Sequence, residues 1–148
     1  MERVFKPKSM MILDEKTAPA LRRHMDNLAD LHLASYFHSK VPILWLVRHD
    51  GAIALALEEI VDEVGDYAGL YHRGLYSGAR KLGHPALAGT KYFEARIGGE
   101  LIMARNAWWI TNQSRRYGLG SRVTAANLEN VRVRFEELGI IVKDRYEP

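Results

Sequence analysis

Residues 42–57 read PILWLVRHDGAIALAL, two apolar runs on either side of an Arg-His-Asp-Gly break. Ile43, Leu44, Trp45, Leu46 and Val47 form a run too short for a helix and rich in bulky side chains, which predicts a buried strand. Asp50-Gly51 predicts a hairpin, because the turn needs positive φ, cheap for glycine and tolerated by aspartate. The return strand begins at Ala52. Residues 58–64 beyond it suit a continuing strand or a helical turn or two, with Ala52, Ala54 and Ala56 leaning toward helix.

Working upstream, residues 1–16 read as an extended arm or edge strand, since Met10, Met11, Ile12 and Leu13 form a short apolar run between basic and acidic residues. Thr17-Ala18-Pro19 is a helix-start signal, a hydroxyl cap ahead of a proline in the first turn. Leu21, Met25, Leu28 and Leu31 then recur along one helical stripe, and the spacing predicts a helix to about Tyr36. Downstream, residues 65–89 interleave glycines with Tyr67, Tyr71, His72, Tyr76 and His84 and read as an irregular loop region held over the sheet, the kind of segment that carries function. Residues 92–103 and 107–112 form a second hairpin about Arg105-Asn106, and Gly98-Gly99 marks a bulge or a close backbone approach. Thr124 caps a final helix whose apolar face is Leu128, Val131, Phe135 and Leu138, with Gly139 as its stop. Residues 140–142 form a last short strand.

No repeat, low-complexity tract or linker divides the chain, and 148 residues are enough for one core. The prediction is a single α+β domain over residues 1–148. It has an antiparallel sheet of about four or five strands, built from two hairpins and packed with an N-terminal and a C-terminal helix.

The chain has no cysteine, which excludes disulfides, thiolate metal sites and a thiol nucleophile and fits a reducing compartment. No apolar run reaches the roughly 20 residues needed to cross a bilayer, and the start lacks the parts of a cleavable secretory signal. A cytoplasmic, non-inserted protein is expected, with export requiring a dedicated secretion machine. The formal charge of +3 is unevenly spread. Glu58, Glu59, Asp62, Glu63 and Asp66 crowd one stretch, whereas residues 70–122 carry Arg73, Arg80, Lys81, Lys91, Arg96, Arg105, Arg115, Arg116 and Arg122 against Glu94 and Glu100 alone. Such a cationic stretch attracts phosphates, nucleic acid or an acidic partner surface, although any one arginine is also explained as part of a solvated face.

The six histidines supply no His-Glu-x-x-His or comparable pair, so no metal is expected. The glycines of residues 65–89 match neither phosphate-loop grammar nor the dinucleotide fingerprint. The densest polar chemistry is Asn112-Gln113-Ser114-Arg115-Arg116-Tyr117, directly after Trp108 and Trp109. Two guanidinium groups beside an amide, a hydroxyl and a phenol can hold a phosphate or carboxylate through planar forks. The same residues are equally at home in a turn, where Asn and Ser bond their own backbone.

The order His84 to Leu87, then Gly98-Gly99-Glu100, then Trp109-Ile110-Thr111-Asn112-Gln113-Ser114-Arg115-Arg116-Tyr117, then a helix ending at Gly139, resembles a module of bacterial effector and polymorphic-toxin-like proteins. The resemblance runs over residues 48–141 on about a dozen positions. Arg115 stands where the pattern has glycine and Gly98 where it has alanine; the first puts a side chain at a position that can demand positive φ. The resemblance implies association with bacterial secretion and competition systems and brings no settled chemistry.

The residues themselves allow three readings. Glu100 with a cationic rim suits ADP-ribosyl transfer, with NAD as substrate, the glutamate steadying a developing sugar cation. His84 with Arg116 and Arg48 or Arg96 suits metal-independent RNA cleavage. Tyr71, Tyr76, Tyr92, Phe93, Trp108 and Trp109 among arginines suit binding without turnover, although one of two adjacent strand tryptophans must face the core. The expectation is an effector or toxin-type domain acting on a phosphate-bearing ligand, nucleotide or nucleic acid, in a cleft between residues 65–89 and 112–117. Glu100 is its carboxylate and Arg116 its anion clamp, with His84, Asn112, Ser114 and Tyr117 orienting the ligand. The competing expectation is a non-enzymatic adaptor or immunity-like protein that meets an acidic protein partner through the cationic surface.

Overall fold

The computed structural model describes residues 6–30, 42–71, 80–90 and 92–148. Its elements are β1 (Met11–Leu13), α1 (Ala18–Asp30), β2 (Ile43–Arg48), β3 (Ile53–Leu57), β4 (Glu59–Val61), β5 (Tyr67–Leu70), β6 (Arg80–Lys81), a 3-10 turn (His84–Leu87), β7 (Ala95–Ala104), β8 (Ala107–Thr111), α2 (Ala125–Glu137) and β9 (Lys143–Arg145). The architecture is α+β. A six-stranded sheet runs β1-β3-β2-β7-β8-β9, and a three-stranded sheet runs β5-β4-β6.

The two expected hairpins form its centre. Arg48 N–H donates to the Ala52 carbonyl (2.8 Å) and Gly51 N–H to the Arg48 carbonyl (2.9 Å), with Gly51 at φ 88°. The glycine thus supplies the left-handed residue of a three-residue hairpin loop. At the second turn Arg105 (φ 52°) and Asn106 (φ 59°) both adopt the left-handed conformation that a two-residue hairpin demands.

The main sheet is larger than the four or five strands expected, because the arm resolves as the edge strand β1, the alternative its apolar run allowed, and β9 adds a second three-residue edge. β9 also follows Ile140 and Val142 instead of containing them. Both side chains are buried in the core, and the hydrogen-bonded strand starts one residue later, parallel to β8. Residues 58–64 resolve as strand and turn: Asp62 Oδ1 accepts from Val64 and Asp66 N–H (3.0 and 2.9 Å) and closes the β4–β5 connection. The region expected to be irregular loop therefore carries β5 and β6. Residues 31–36, over which the helix was expected to continue, lie outside the described residues.

Alternation divides the sheet into two apolar faces. Ile43, Trp45, Val47, Ile53, Leu55, Leu101 and Ile110 face both helices and pack with Leu21 and Met25 of α1 and Leu128, Val131 and Phe135 of α2. Leu44, Leu46, Ala54 and Ala56 face the other way, against Leu87, Ala88, Tyr117 and the arm residues Met10 and Ile12. Of the adjacent tryptophans, Trp108 is the one in the helix-side core, its Nε1–H donating to the Met25 carbonyl (3.1 Å).

Thr124 caps α2 in a reciprocal box with Asn127. At the other end Gly139 (φ 80°) lets Gly139 and Ile140 N–H return to the Glu136 and Phe135 carbonyls (both 2.9 Å). At α1 the expected Thr17 cap points backward, its hydroxyl donating to the Ile12 carbonyl (2.6 Å) and tying helix to β1. Asp14 takes the turn instead, accepting from Lys16 and Thr17 N–H, and these bonds hold its carboxyl below the usual range. No helix among the described residues is long and apolar enough to cross a membrane.

Candidate ligand site

Of the six residues singled out in the sequence, Glu100 lies in the segment Gly98-Gly99-Glu100 of β7, and His84 and Tyr117 reach that segment. A Cβ at Gly99 would lie 1.8 Å from the Thr111 carbonyl oxygen and 2.8 Å from the Trp45 ring, so the pair of glycines serves a close backbone approach. The register irregularity falls elsewhere, between Val47 and Arg48. Tyr117 covers Gly98 on the face opposite the helices, and Gly98 N–H donates to the Tyr117 carbonyl (3.1 Å). Glu100, two residues on, is on that same face, buried and paired with Leu44 and Thr111 across the sheet.

His84 reaches this segment from the 3-10 turn, its Nε2 2.7 Å from the Gly99 carbonyl. A carbonyl only accepts, so Nε2 carries the proton and Nδ1 is the nitrogen left for other chemistry. Burial pushes His84 below its ordinary value, and Lys81 adds to this, while the bond to Gly99 works the other way.

The 112–117 corner is tied to itself. Asn112 Nδ2 donates to the Gly118 and Glu147 carbonyls (2.9 and 2.6 Å), and its Oδ1 accepts from Glu147 N–H (2.7 Å). Ser114 Oγ accepts from Tyr117 N–H (3.3 Å), and Tyr117 Oη donates to the Phe93 carbonyl (2.5 Å). Burial raises the Tyr117 phenol and keeps it a donor. Arg115 has no left-handed φ, so its side chain strains nothing where the pattern it resembles has glycine. The position that cannot take a side chain is Gly118, whose Cβ would fall 1.8 Å from the Asn112 carbonyl oxygen.

Arg116 leaves this group. Its guanidinium lies over the rings of Phe93 (5.8 Å) and Tyr117 (5.5 Å), lining an open cleft of about 390 Å³ with His49, Tyr92, Glu94 and Ala95. From Ala95 to Glu100 is roughly 16 Å along β7 at the ordinary strand rise. Neither Glu100 nor His84 lines the Arg116 cleft. Phe93 sits at φ 54°, an unfavourable conformation for a bulky residue, and its carbonyl is the one that Tyr117 holds.

Arg48 and Arg96, offered in the sequence as phosphate ligands, both donate to carbonyls: Arg48 Nε to Leu87 (2.8 Å) and Arg96 Nε to His49 (3.1 Å). Among the described residues no three His, Asp or Glu side chains gather to hold a metal. Tyr92 and Phe93 were visible in the sequence only as members of a basic aromatic stretch. Their place beside Arg116 depends on the strained turn at Phe93, which no residue type announces. Comparison with protein-family models, with curated proteins and with solved structures returns no match.

Proposed function

We propose that this domain binds a phosphate-bearing ligand with a flat ring, a nucleotide or nucleic acid, in the cleft of Arg116, Phe93 and Tyr92. The setting is the bacterial effector or toxin-type role that the resemblance implies. The observation that carries the reading is the Arg116 guanidinium over two rings, 5.8 and 5.5 Å from their centres, on the lining of an open cleft. An arginine over ring faces keeps its in-plane N–H donors free for phosphate oxygens, and the exposed ring of Tyr92 offers a face to a base. Backbone strain at Phe93 supports it too, since strained residues gather at binding sites. Glu94 on the same rim opposes an anion, so Glu94→Gln strengthens binding.

As an enzyme the domain would use Glu100 as carboxylate and His84 as acid or base, in ADP-ribosyl transfer from NAD or in RNA cleavage. A ligand held at Arg116 must then extend along β7 to reach them. Titration with NAD and with a short single-stranded RNA tests the binding step. Arg116→Ala is expected to weaken the preferred ligand at least tenfold without lowering the melting temperature, and unchanged affinity overturns the reading. Expression in a bacterial host tests turnover. Growth arrest by the wild type that Glu100→Ala relieves supports an enzyme; equal growth leaves the non-enzymatic adaptor for an acidic partner as the better account.

A further inference from the structure

A second cleft opens beside the β2–β3 turn, on the side of the sheet that carries the helices. Arg96 of β7, Arg122 ahead of α2 and Arg134 of α2 line about 280 Å³ together with Asn127 and Asn130, over a floor of buried core side chains. Among the described residues no carboxylate lines it. Asn127, Asn130 and Arg134 fall at helical spacing on one face of α2, so all three side chains are presented together.

The arginines are aimed, not scattered. Arg134 Nη2 donates to the Gly51 carbonyl (2.8 Å), and Arg96 Nε donates to the His49 carbonyl (3.1 Å). A Cβ on Gly51 would lie 3.8 Å from Arg96 Nη1, so both guanidinium groups converge on the same turn. Neither they nor Arg122 form an ion pair among the described residues. Arg132, on another face of the same helix, is bracketed by Glu129 (2.5 Å), Glu136 (2.9 Å) and Asp144 (3.9 Å). Like charges gathered without a carboxylate repel one another, and an anion between them removes that repulsion.

The two clefts open at the same end of the sheet, on either side of the β2–β3 turn. His49 lines the Arg116 cleft while its carbonyl holds Arg96, and Ala95 and Ile97, two residues apart on β7, line one cleft each. We infer that they form one track for a single-stranded nucleic acid, with a base stacked at Tyr92 and Phe93 and the backbone phosphates passing the β2–β3 turn to Arg96, Arg122 and Arg134. The inference rests on the reading of the Arg116 cleft given above and narrows its ligand. Aromatic faces beside a cationic groove suit single strands because every base has a π-face and every nucleotide a phosphate. A mononucleotide has no use for the second cleft.

The test measures fluorescence anisotropy of a labelled uridine trinucleotide and a 12-nucleotide uridine RNA over a range of salt. Wild type, Arg116→Ala and the double variant Arg122→Ala/Arg134→Gln are compared; the glutamine retains an amide donor for the Gly51 carbonyl. The double variant should bind the 12-mer at least tenfold more weakly, with its salt slope reduced by about 1.4, roughly 0.7 for each phosphate that no longer meets a guanidinium. Its trinucleotide affinity should match the wild type, whereas Arg116→Ala should weaken binding of both probes. Arg122→Glu alone, at an exposed position, replaces the double variant if the latter melts early. Undiminished 12-mer binding by the double variant overturns the track and leaves the Arg116 cleft standing, provided Arg116→Ala still weakens both probes. Trinucleotide binding indifferent to Arg116→Ala, or no binding of either probe by the wild type, overturns both.

Discussion

The 112–117 corner and the three-arginine cleft differ in what their polar atoms are already doing. In the corner the amide of Asn112, the hydroxyl of Ser114 and the phenol of Tyr117 are satisfied by backbone carbonyls and N–H groups of the same fold. In the cleft, three guanidinium groups share a hollow with no acid on its described lining, and Arg96 and Arg134 each donate one hydrogen bond, to a carbonyl of the β2–β3 turn. A dense run of polar residues in sequence is thus a poor guide to a site. Density along the chain is what a turn needs to satisfy its own backbone, whereas a ligand needs donors that the fold leaves over.

This contrast can be broken from either side. The largest effect should come from Gly118→Ala, which sets a methyl group 1.8 Å from the Asn112 carbonyl oxygen. A loss of about 4 kcal/mol or more, seen in urea unfolding, is expected from such a clash with backbone. Asn112→Ala should come next, costing about 3 kcal/mol by stranding the buried carbonyl of Gly118 and the half-buried backbone groups of Glu147. A loss near zero would mean that the corner is not held as described and that its amide is available to a ligand.

His84 offers a pH test of the same region. Its pKa is lowered by burial, so as pH falls through the ordinary 6.5 the unfolded chain takes up the proton first. The stability His84 contributes is therefore complete above that value and is lost toward the lower folded value. The urea midpoint should drop between about pH 7.5 and about pH 5.5, and His84→Gln should shrink the drop, leaving the part owed to His24, which shifts the same way for the same reason. An equal drop in His84→Gln would show that the ring is not desolvated beside Gly99. The smallest effect belongs to the other region: Arg122→Ala should change stability by less than about 0.5 kcal/mol, as an exposed residue outside the packing does. A larger cost would make Arg122 part of the fold and weaken its standing as a ligand residue.

Much of the fold was legible because its signals are local. Asp50-Gly51 and Arg105-Asn106 mark their turns by conformational need, Thr124 and Gly139 mark the ends of α2, and alternation assigns one tryptophan to the core. The edge strand β1 was legible as an apolar run in the arm and a last strand was expected beside β9, but the one-residue offset of β9 and its parallel docking on β8 are tertiary choices. At the site, the approach of His84 and Tyr117 to Gly98-Gly99-Glu100 follows the order of the motifs. The departure of Arg116 toward Phe93 does not, because it depends on which way one side chain leaves a turn. Arg96, Arg122 and Arg134 lie far apart in sequence, and only the return of α2 onto the β2–β3 turn brings them together.

Glu59, one of the most deeply buried carboxylates, accepts from Lys8 and Ser9 N–H (both 2.8 Å) and from Ser9 Oγ (2.5 Å), while Ser9 Oγ accepts from Leu57 N–H (2.9 Å). One side chain therefore clasps the strap that leads into β1, and β1 is what covers the outer rim of β3. Should the clasp open, Ile53, Ala54, Leu55 and Ala56 would offer an unguarded backbone ladder to any passing strand. The cover over that edge thus depends on a buried acid that lines neither cleft.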